Sequence, residues 1–149
     1  MSSMPARPSA ADILAAVMAE KEAVSRLFDR LRAGSPDPSG EGVSRDTYGP
    51  GEQFGHRVIA DVAAEMGLAI TRDHAANMYM TLPGRNRELP CLMMGSHMDS
   101  VPKGGNFDGA AGVIAGLVAQ RLLQKLAITP RADVTTMAIR AEESVWFQV

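Results

Sequence analysis

Two short apolar runs on either side of a helical segment place the strongest constraint on how this chain can fold. Cys91–Gly95 and Val134–Ile139 have the length and composition of buried strands, and apolar residues recur at helical spacing from Asp108 to about Lys125. A strand, a helix and a second strand in this order form a βαβ unit, which requires parallel pairing and a right-handed crossover. The sequence therefore predicts an α/β fold in which helices cover a sheet.

The residues before this unit predict further helices and strands. Ser9 and Asp12 resemble a capping box, and apolar residues then recur at helical spacing up to Gly34, which predicts one amphipathic helix. Residues 1–8 predict a disordered tail, so the folded part is expected over residues 9–149. The other predicted elements are a loop rich in Gly, Pro and Ser over 34–51, a helix from about Pro50 to Gly67, and strands at Leu68–Thr71 and Asn77–Leu82.

Composition excludes several classes of protein and of partner. Hydrophobic residues make up 46% and charged residues 21%, as in globular domains, and the formal net charge of −2 favours neither nucleic acid nor an anionic membrane as a partner. The single cysteine, Cys91, excludes an internal disulfide, and charges among the first thirty residues exclude a secretory leader. The apolar run around Ala110–Ala119 is too short to span a bilayer. We therefore expect a cytoplasmic protein whose partner is a small molecule.

Polar side chains follow both strands of the βαβ unit, where ligands of open α/β sheets gather. His97 and Asp99 come directly after the first strand, and Asp108 lies at the start of the following helix. Glu142 and Glu143 follow the second strand. Since parallel strands place their carboxyl ends at one edge of the sheet, these five side chains are expected to lie together.

An imidazole beside several carboxylates is a typical ligand set for zinc, manganese or a similar divalent ion. The two oxygens of Asp108 could bridge two ions. Adjacent glutamates on an extended segment point in different directions, so one could bind metal while the other transfers a proton. Asp99 is placed to accept the second imidazole N–H of His97.

Each of these features also has an ordinary structural explanation. A His-x-Asp pair is common in loops, Asp108 could be a helix N-cap, and adjacent glutamates are usually solvated surface residues. His56 and His74 lie away from the strand ends, so we expect neither to have a chemical role. The coincidence of the three groups at successive strand ends favours the metal site.

The segment from Gly95 to Val113, GSHMDSVPKGGNFDGAAGV, closely resembles the signature of the hydantoinase/carbamoylase-type amidohydrolases. That family includes N-carbamoyl-L-amino-acid hydrolases, allantoate amidohydrolases and β-ureidopropionases, within a superfamily of dinuclear-metal aminoacylases and carboxypeptidases. The Gly-Gly-x-Phe-Asp-Gly stretch distinguishes it from the related peptidases. Gly42–Arg45 and Asn77–Gly84 also resemble the N-terminal half of the family, and the resemblance runs from about residue 10 to the end.

The resemblance implies the N-terminal half of a dinuclear-metal, aminopeptidase-like catalytic domain with a mixed, mainly parallel sheet flanked by helices. In such a site His97 would bind one metal, Asp108 would bridge both metals, and Glu143 would bind the other. Glu142 would be the general base and Asp99 would orient His97. The resemblance implies two divalent ions, zinc or manganese, with cobalt and nickel as further candidates, and a homodimeric parent enzyme. It names no substrate-binding residue.

The reaction implied by the resemblance is hydrolysis of a linear amide or ureido C–N bond, with N-carbamoyl-L-amino acids as the expected substrates. One alternative is a dipeptidase or N-acyl-amino-acid hydrolase that uses the same metal pair. A second alternative, of another class, is a truncated and non-catalytic remnant with a structural or interaction role.

Two departures from the family pattern affect these expectations. Trp146 stands where the family usually has an arginine, and an aromatic ring cannot replace a guanidinium against a carboxylate. Family members are also more than twice as long, and supply further metal-binding histidines, a substrate-binding arginine and a dimerisation domain. We therefore expect residues 9–149 to be the first part of a longer catalytic domain, inactive and poor in bound metal when isolated.

Overall fold

The computed structural model describes residues 7–143, and the predicted α/β class is confirmed. Residues 1–6 and 144–149, including Trp146, lie outside the described residues. In chain order the elements are α1 (Ala10–Ala19), α2 (Lys21–Gly34), α3 (Pro50–Glu65), β1 (Ala69–Arg72), β2 (Met78–Leu82), β3 (Leu92–His97), α4 (Ala110–Lys125) and β4 (Val134–Ile139). Among these helices none is long and apolar enough to cross a membrane.

The first helical region differs from the prediction of one continuous helix. The capping box is confirmed, since the backbone N–H of Asp12 donates to Ser9 Oγ and that of Ser9 to the Asp12 carboxylate, at 3.2 and 2.9 Å. The chain bends at Glu20, however, and α1 is separate from α2. Glu20 is buried and paired with Arg121 and Lys125 of α4, so α1 contacts α4 while α2 packs against α3.

The four strands form one mixed sheet in the order β1-β2-β4-β3. The predicted βαβ unit is confirmed, because β3 and β4 pair in parallel from Leu92↔Val134 to His97↔Ile139 with α4 as the crossover. Two of the three pairings among these strands are antiparallel, so the sheet is mixed as predicted but not mainly parallel in this stretch. The loop from β1 to β2, residues 73–77, is too short for a parallel crossover.

Strand β3 is expected to be buried on both faces, and this prediction is wrong: in the run Cys91–Gly95, Met94 is partly buried and the other four residues are exposed. Within the described residues β3 lies at the edge of the sheet and pairs only with β4. Leu92 and Met93 are consequently 62% and 50% exposed. Of the six residues of β3, His97 at the carboxyl end is the one that is buried.

Helix α4 packs unusually close to the sheet because two of its residues lack a side chain. A Cβ atom at Gly116 would lie 2.6 Å from Thr136 Oγ1, and one at Gly112 would lie 2.7 Å from the Cβ atom of Ser96. The buried Gln120 donates to the backbone carbonyls of Met80 and Val134 from the same helix. This close packing fixes the start of α4 beside the carboxyl end of β3.

His56 is a buried titratable group in the core near the end of β4. It lies on α3 and is 1% exposed, and neither ring nitrogen has a hydrogen-bond partner among residues 7–143. Burial lowers the pKa of His56 to about 4, and the positive charges of Arg140 and Arg72 act in the same direction. The backbone of Ile139 and the charge of Asp99 oppose this shift only in part.

We predict that the free energy of unfolding decreases as the pH falls from about 6.5 to 4. The pKa of His56 is lower in the folded chain than in the unfolded chain, so protonation in this window favours unfolding, by of order 3 kcal/mol in total. Urea unfolding of wild type and His56→Leu at several pH values measures the difference. His74→Gln, at an exposed histidine, is the control and should keep the wild-type pH dependence. An equal decline in His56→Leu and wild type would contradict the prediction.

Candidate metal centre

His97 occupies the carboxyl end of β3, with its two ring nitrogens in different surroundings. Nδ1 lies 3.1 Å from the backbone carbonyl oxygen of Asp99 and 3.4 Å from its carboxylate. Nε2 lies 3.7 Å from a carboxylate oxygen of Asp108 and 3.7 Å from one of Glu142. A ring whose Nδ1–H donates to Asp99 presents Nε2, with its lone pair, to the carboxylates. Nε2 is therefore the nitrogen available to a metal.

Asp108 reaches His97 through a tight turn at the start of α4. Gly109 has φ +65°, and a Cβ atom there would lie 2.6 Å from the ring of His97, so this position favours glycine. The alternative of Asp108 as an N-cap is not seen, because α4 begins without a side-chain cap. Phe107 anchors the turn through an edge-to-face contact with Phe28 at 4.7 Å between ring centroids. The carboxylate of Asp108, 66% exposed, is free to bind a ligand from solvent.

Asp99 holds the two glutamates at the same edge of the sheet. Its fully buried carboxylate accepts the backbone N–H groups of Glu142 and Glu143 at 3.2 and 2.8 Å, and the hydroxyl of Thr47 at 3.0 Å. One ligand atom from each of His97, Glu142 and Glu143 then lies within 4.8 Å of the others. The structure thus brings together the ends of β3 and β4, as the sequence predicts.

The electrostatics of this group favour a bound cation. Burial is the largest effect on Glu143 and raises the pKa of its carboxyl. The charge of His97 lowers that pKa, and three neighbouring carboxylates raise it further: Asp108, Glu142 and Asp99. Carboxylates this close repel one another, and a divalent ion between them would remove that repulsion. The donor set of one imidazole nitrogen and several carboxylate oxygens fits zinc or manganese.

All five residues predicted for the site lie at this edge of the sheet. The tightest group contains His97 with both glutamates, and Asp108 is linked to it through its 3.7 Å approach to His97. Asp99 lies beneath them, in contact with the ring and with the glutamate backbone. The individual roles of metal ligand, bridge, base and orienting residue stay predictions.

Sequence reasoning missed the buried arginine that shapes the loop after β3. Arg45 has no exposed surface, and its guanidinium donates to the backbone carbonyl of Met98 at 2.9 Å and to the side chain and backbone of Asn106 at 3.2 and 3.3 Å. These bonds close the loop that carries Asp99 and leads to Asp108. The only signal in the sequence was that Arg45 ends one of the stretches resembling the family, which assigned it no role.

Comparison with known proteins shows which families this chain resembles. Residues 77–147 match peptidase family M28. The N-carbamoyl-L-amino-acid amidohydrolase of Paenarthrobacter aurescens is 34% identical over 72% of this chain and 26% of its own length. The ureidoglycolate hydrolase of Oryza sativa subsp. japonica is 28% identical over 87% of this chain and 27% of its own. An amidase of the hydantoinase/carbamoylase family from Burkholderia vietnamiensis superposes with a TM-score of 0.76 at 31% identity, over 84% of this chain and 31% of that chain.

This chain is homologous to the hydantoinase/carbamoylase amidohydrolases. The chain spans about a quarter to a third of the length of the curated relatives it matches, with shares of 25 to 30%. The aminopeptidase PepT of Bacillus cereus, at 18% identity and a TM-score of 0.63, shares the fold over 84% of this chain and 37% of its own. The residues that match peptidase family M28, 77–147, include His97 and both glutamates.

We predict that Asp99→Asn destabilises the fold more than the loss of one hydrogen bond would. The amide must turn its NH₂ group towards an N–H or O–H donor, which breaks one bond and leaves a buried donor unpaired, at a cost of about 1–3 kcal/mol. Thr47→Val, which removes only the hydroxyl donor, is the matched control and should cost about 1 kcal/mol. Urea unfolding measures both. An Asp99→Asn protein as stable as Thr47→Val would show that the carboxylate does not hold the glutamate backbone.

Proposed function

We propose that this protein is a metal-dependent amidohydrolase that cleaves a linear amide or ureido C–N bond, with N-carbamoyl-L-amino acids as the substrate class. The observation that carries the proposal is the group of His97, Glu142 and Glu143, with ligand atoms within 4.8 Å of one another beside Asp108. Relatives named N-carbamoyl-L-amino-acid amidohydrolase support the substrate class. The homodimer and the cytoplasmic location expected above belong to the same proposal.

We assign the metal ligands to three side chains, His97, Glu143 and Asp108. His97 would hold one divalent ion through Nε2, Glu143 would hold a second, and Asp108 has two oxygens with which to bridge them. Ions bound there supply Lewis acidity, which lowers the pKa of a water molecule and polarises a carbonyl. Zinc and manganese fit the donor set best, and cobalt and nickel are further candidates.

Glu142 is proposed as the group that moves the proton. Its side chain is 55% exposed and one of its oxygens lies 3.7 Å from His97 Nε2, so it faces both solvent and the ligand nitrogen. It takes a proton from the attacking water and returns it to the departing nitrogen as the C–N bond breaks. With an N-carbamoyl amino acid the products are the amino acid, ammonia and carbon dioxide. Asp99 contributes by fixing the ring of His97 and the backbone of Glu142.

A peptidase or N-acyl-amino-acid hydrolase is the second candidate, and the match of residues 77–147 to peptidase family M28 favours it. The Gly-Gly-x-Phe-Asp-Gly stretch before α4 favours the carbamoylase instead. Rates on N-carbamoyl-L-amino acids, N-acetyl-L-amino acids and dipeptides, measured with the metal-loaded protein at its natural length, separate the two. Preference for the carbamoyl compounds supports the proposal, and preference for dipeptides would replace it with the peptidase.

We predict that Glu142→Gln, in the protein at its natural length, retains its bound metal and loses turnover. The amide keeps the shape of the side chain but cannot accept the proton, and groups of this kind typically contribute about 10²–10⁴-fold to the rate. Metal content by elemental analysis and kcat on an N-carbamoyl-L-amino acid are the two measurements. Glu88→Gln, at an exposed glutamate away from the site, should leave both unchanged. A Glu142→Gln protein with most of the wild-type kcat would show that Glu142 is not the base.

A further inference from the structure

A buried ion pair lies directly behind the two glutamates. Glu52 on α3 has no exposed surface, and Arg140, which follows β4, is 5% exposed along its side chain. Arg140 Nη1 and a Glu52 carboxylate oxygen lie 2.6 Å apart. A pair this deep gains little net stability over an apolar pair of the same size, because both charges are desolvated. Arg140 lies two residues before Glu142, so the pair is placed to hold the backbone that carries the two glutamates.

The pair binds three backbone segments that share a rare conformation. Tyr48, Ala76 and Ala141 have φ of +56°, +60° and +60°, in the left-handed region that disfavours residues with a Cβ atom. The Glu52 carboxylate accepts the backbone N–H groups of Tyr48 at 2.8 Å and Ala141 at 3.2 Å. Arg140 Nε donates to the carbonyl oxygen of Ala76 at 3.1 Å. Both members of the pair therefore hold strained backbone.

Of these three residues, Ala141 bears on the candidate metal centre, because Glu142 and Glu143 follow it directly in the chain. Glu52 fixes the N–H of Ala141, and Asp99 fixes the next two N–H groups along the chain. Two buried carboxylates thus hold the backbone N–H groups of three consecutive residues. A change of φ at Ala141 would redirect both glutamates away from His97.

We propose that Glu52 and Arg140 are positioning residues that hold Ala141 in the left-handed conformation and so deliver Glu142 and Glu143 to the metal centre. The proposal rests on the proposed function, since it needs the centre to bind a divalent ion. A pair that only stabilised the fold would affect unfolding, but it would have no specific link to the φ angle of Ala141. Substitutions at residue 141, which leave the ion pair intact, separate these two roles.

The first experiment compares substitutions at two alanines of similar positive φ, Ala141 and Ala127. Ala127 has φ +53° and follows α4 at the opposite end of that helix from Asp108, so it is a matched control. Binding of Mn²⁺ alone to the protein at its natural length is followed by the electron paramagnetic resonance signal of the free ion. Thermal unfolding is recorded in parallel for Ala141→Val, Ala141→Gly, Ala127→Val and Ala127→Gly.

Ala141→Val should weaken Mn²⁺ binding by about tenfold or more, because a β-branched residue is strongly disfavoured at this φ. Ala141→Gly should bind Mn²⁺ within about twofold of wild type, because glycine adopts this conformation without strain. Ala127→Val should lose thermal stability but keep the wild-type affinity. If Ala141→Val bound Mn²⁺ as tightly as Ala127→Val, the positioning role would be overturned.

The second experiment tests whether glycine rescues loss of the carboxylate. Glu52→Gln should weaken Mn²⁺ binding, and the double variant Glu52→Gln/Ala141→Gly should recover part of the affinity, because glycine needs no clamp at residue 141. Glu52→Gln/Ala127→Gly should recover none of it, and equal recovery in both double variants would overturn the role. If Glu52→Gln does not fold, the comparison of Ala141→Val with Ala127→Val decides alone. A wild-type protein of natural length that bound no Mn²⁺ would contradict the proposed function and this role with it, whereas unaltered binding by Ala141→Val would contradict this role only.

Discussion

The buried carboxylate of Asp99 joins the two strand ends on which the candidate centre is built. A carboxylate without exposed surface needs hydrogen-bond donors on every side, because desolvation of an unpaired charge is very costly. Asp99 finds them in Thr47 and in the backbone of Glu142 and Glu143, while its own residue contacts the ring of His97. The Asp99 carboxylate therefore links the end of β3 to the segment after β4 through hydrogen bonds. The spacing of imidazole and carboxylates depends on this interaction.

Around Asp99, buried charges and strained backbone that cost stability hold the geometry of the site. The buried guanidinium of Arg45 closes the loop after β3, and the Glu52–Arg140 pair holds the chain as it leaves β4. Gly109 allows the turn before α4 to approach the imidazole more closely than any side chain would permit. Buried charges and left-handed backbone are expensive, and they cluster at functional sites where the surrounding structure holds them in place. Their concentration at one edge of the sheet agrees with the placement of the metal centre there.

The sequence predicts what depends on local pattern, and misses what depends on distant contacts. The β3-α4-β4 unit and the capping box at Ser9 follow from apolar spacing and local side-chain chemistry, and both are present. The interruption of the helix at Glu20 is not predictable in this way, because the buried Glu20 pairs with Arg121, a residue 101 positions away. The exposure of Leu92 likewise depends on strand order, which apolar composition does not encode. For the site, strand ends marked His97 and its carboxylates, whereas buried charges such as Arg45 carry no recognisable spacing.

Anomalous diffraction from crystals of the protein at its natural length, grown with Zn²⁺, tests most directly whether the ends of β3 and β4 form one metal centre. We predict a strong anomalous peak at about 2.0–2.2 Å from His97 Nε2 and from a carboxylate oxygen of Asp108, the usual range for zinc bound by imidazole and carboxylate. Strong peaks at other acidic side chains, with none beside His97, would contradict the claim.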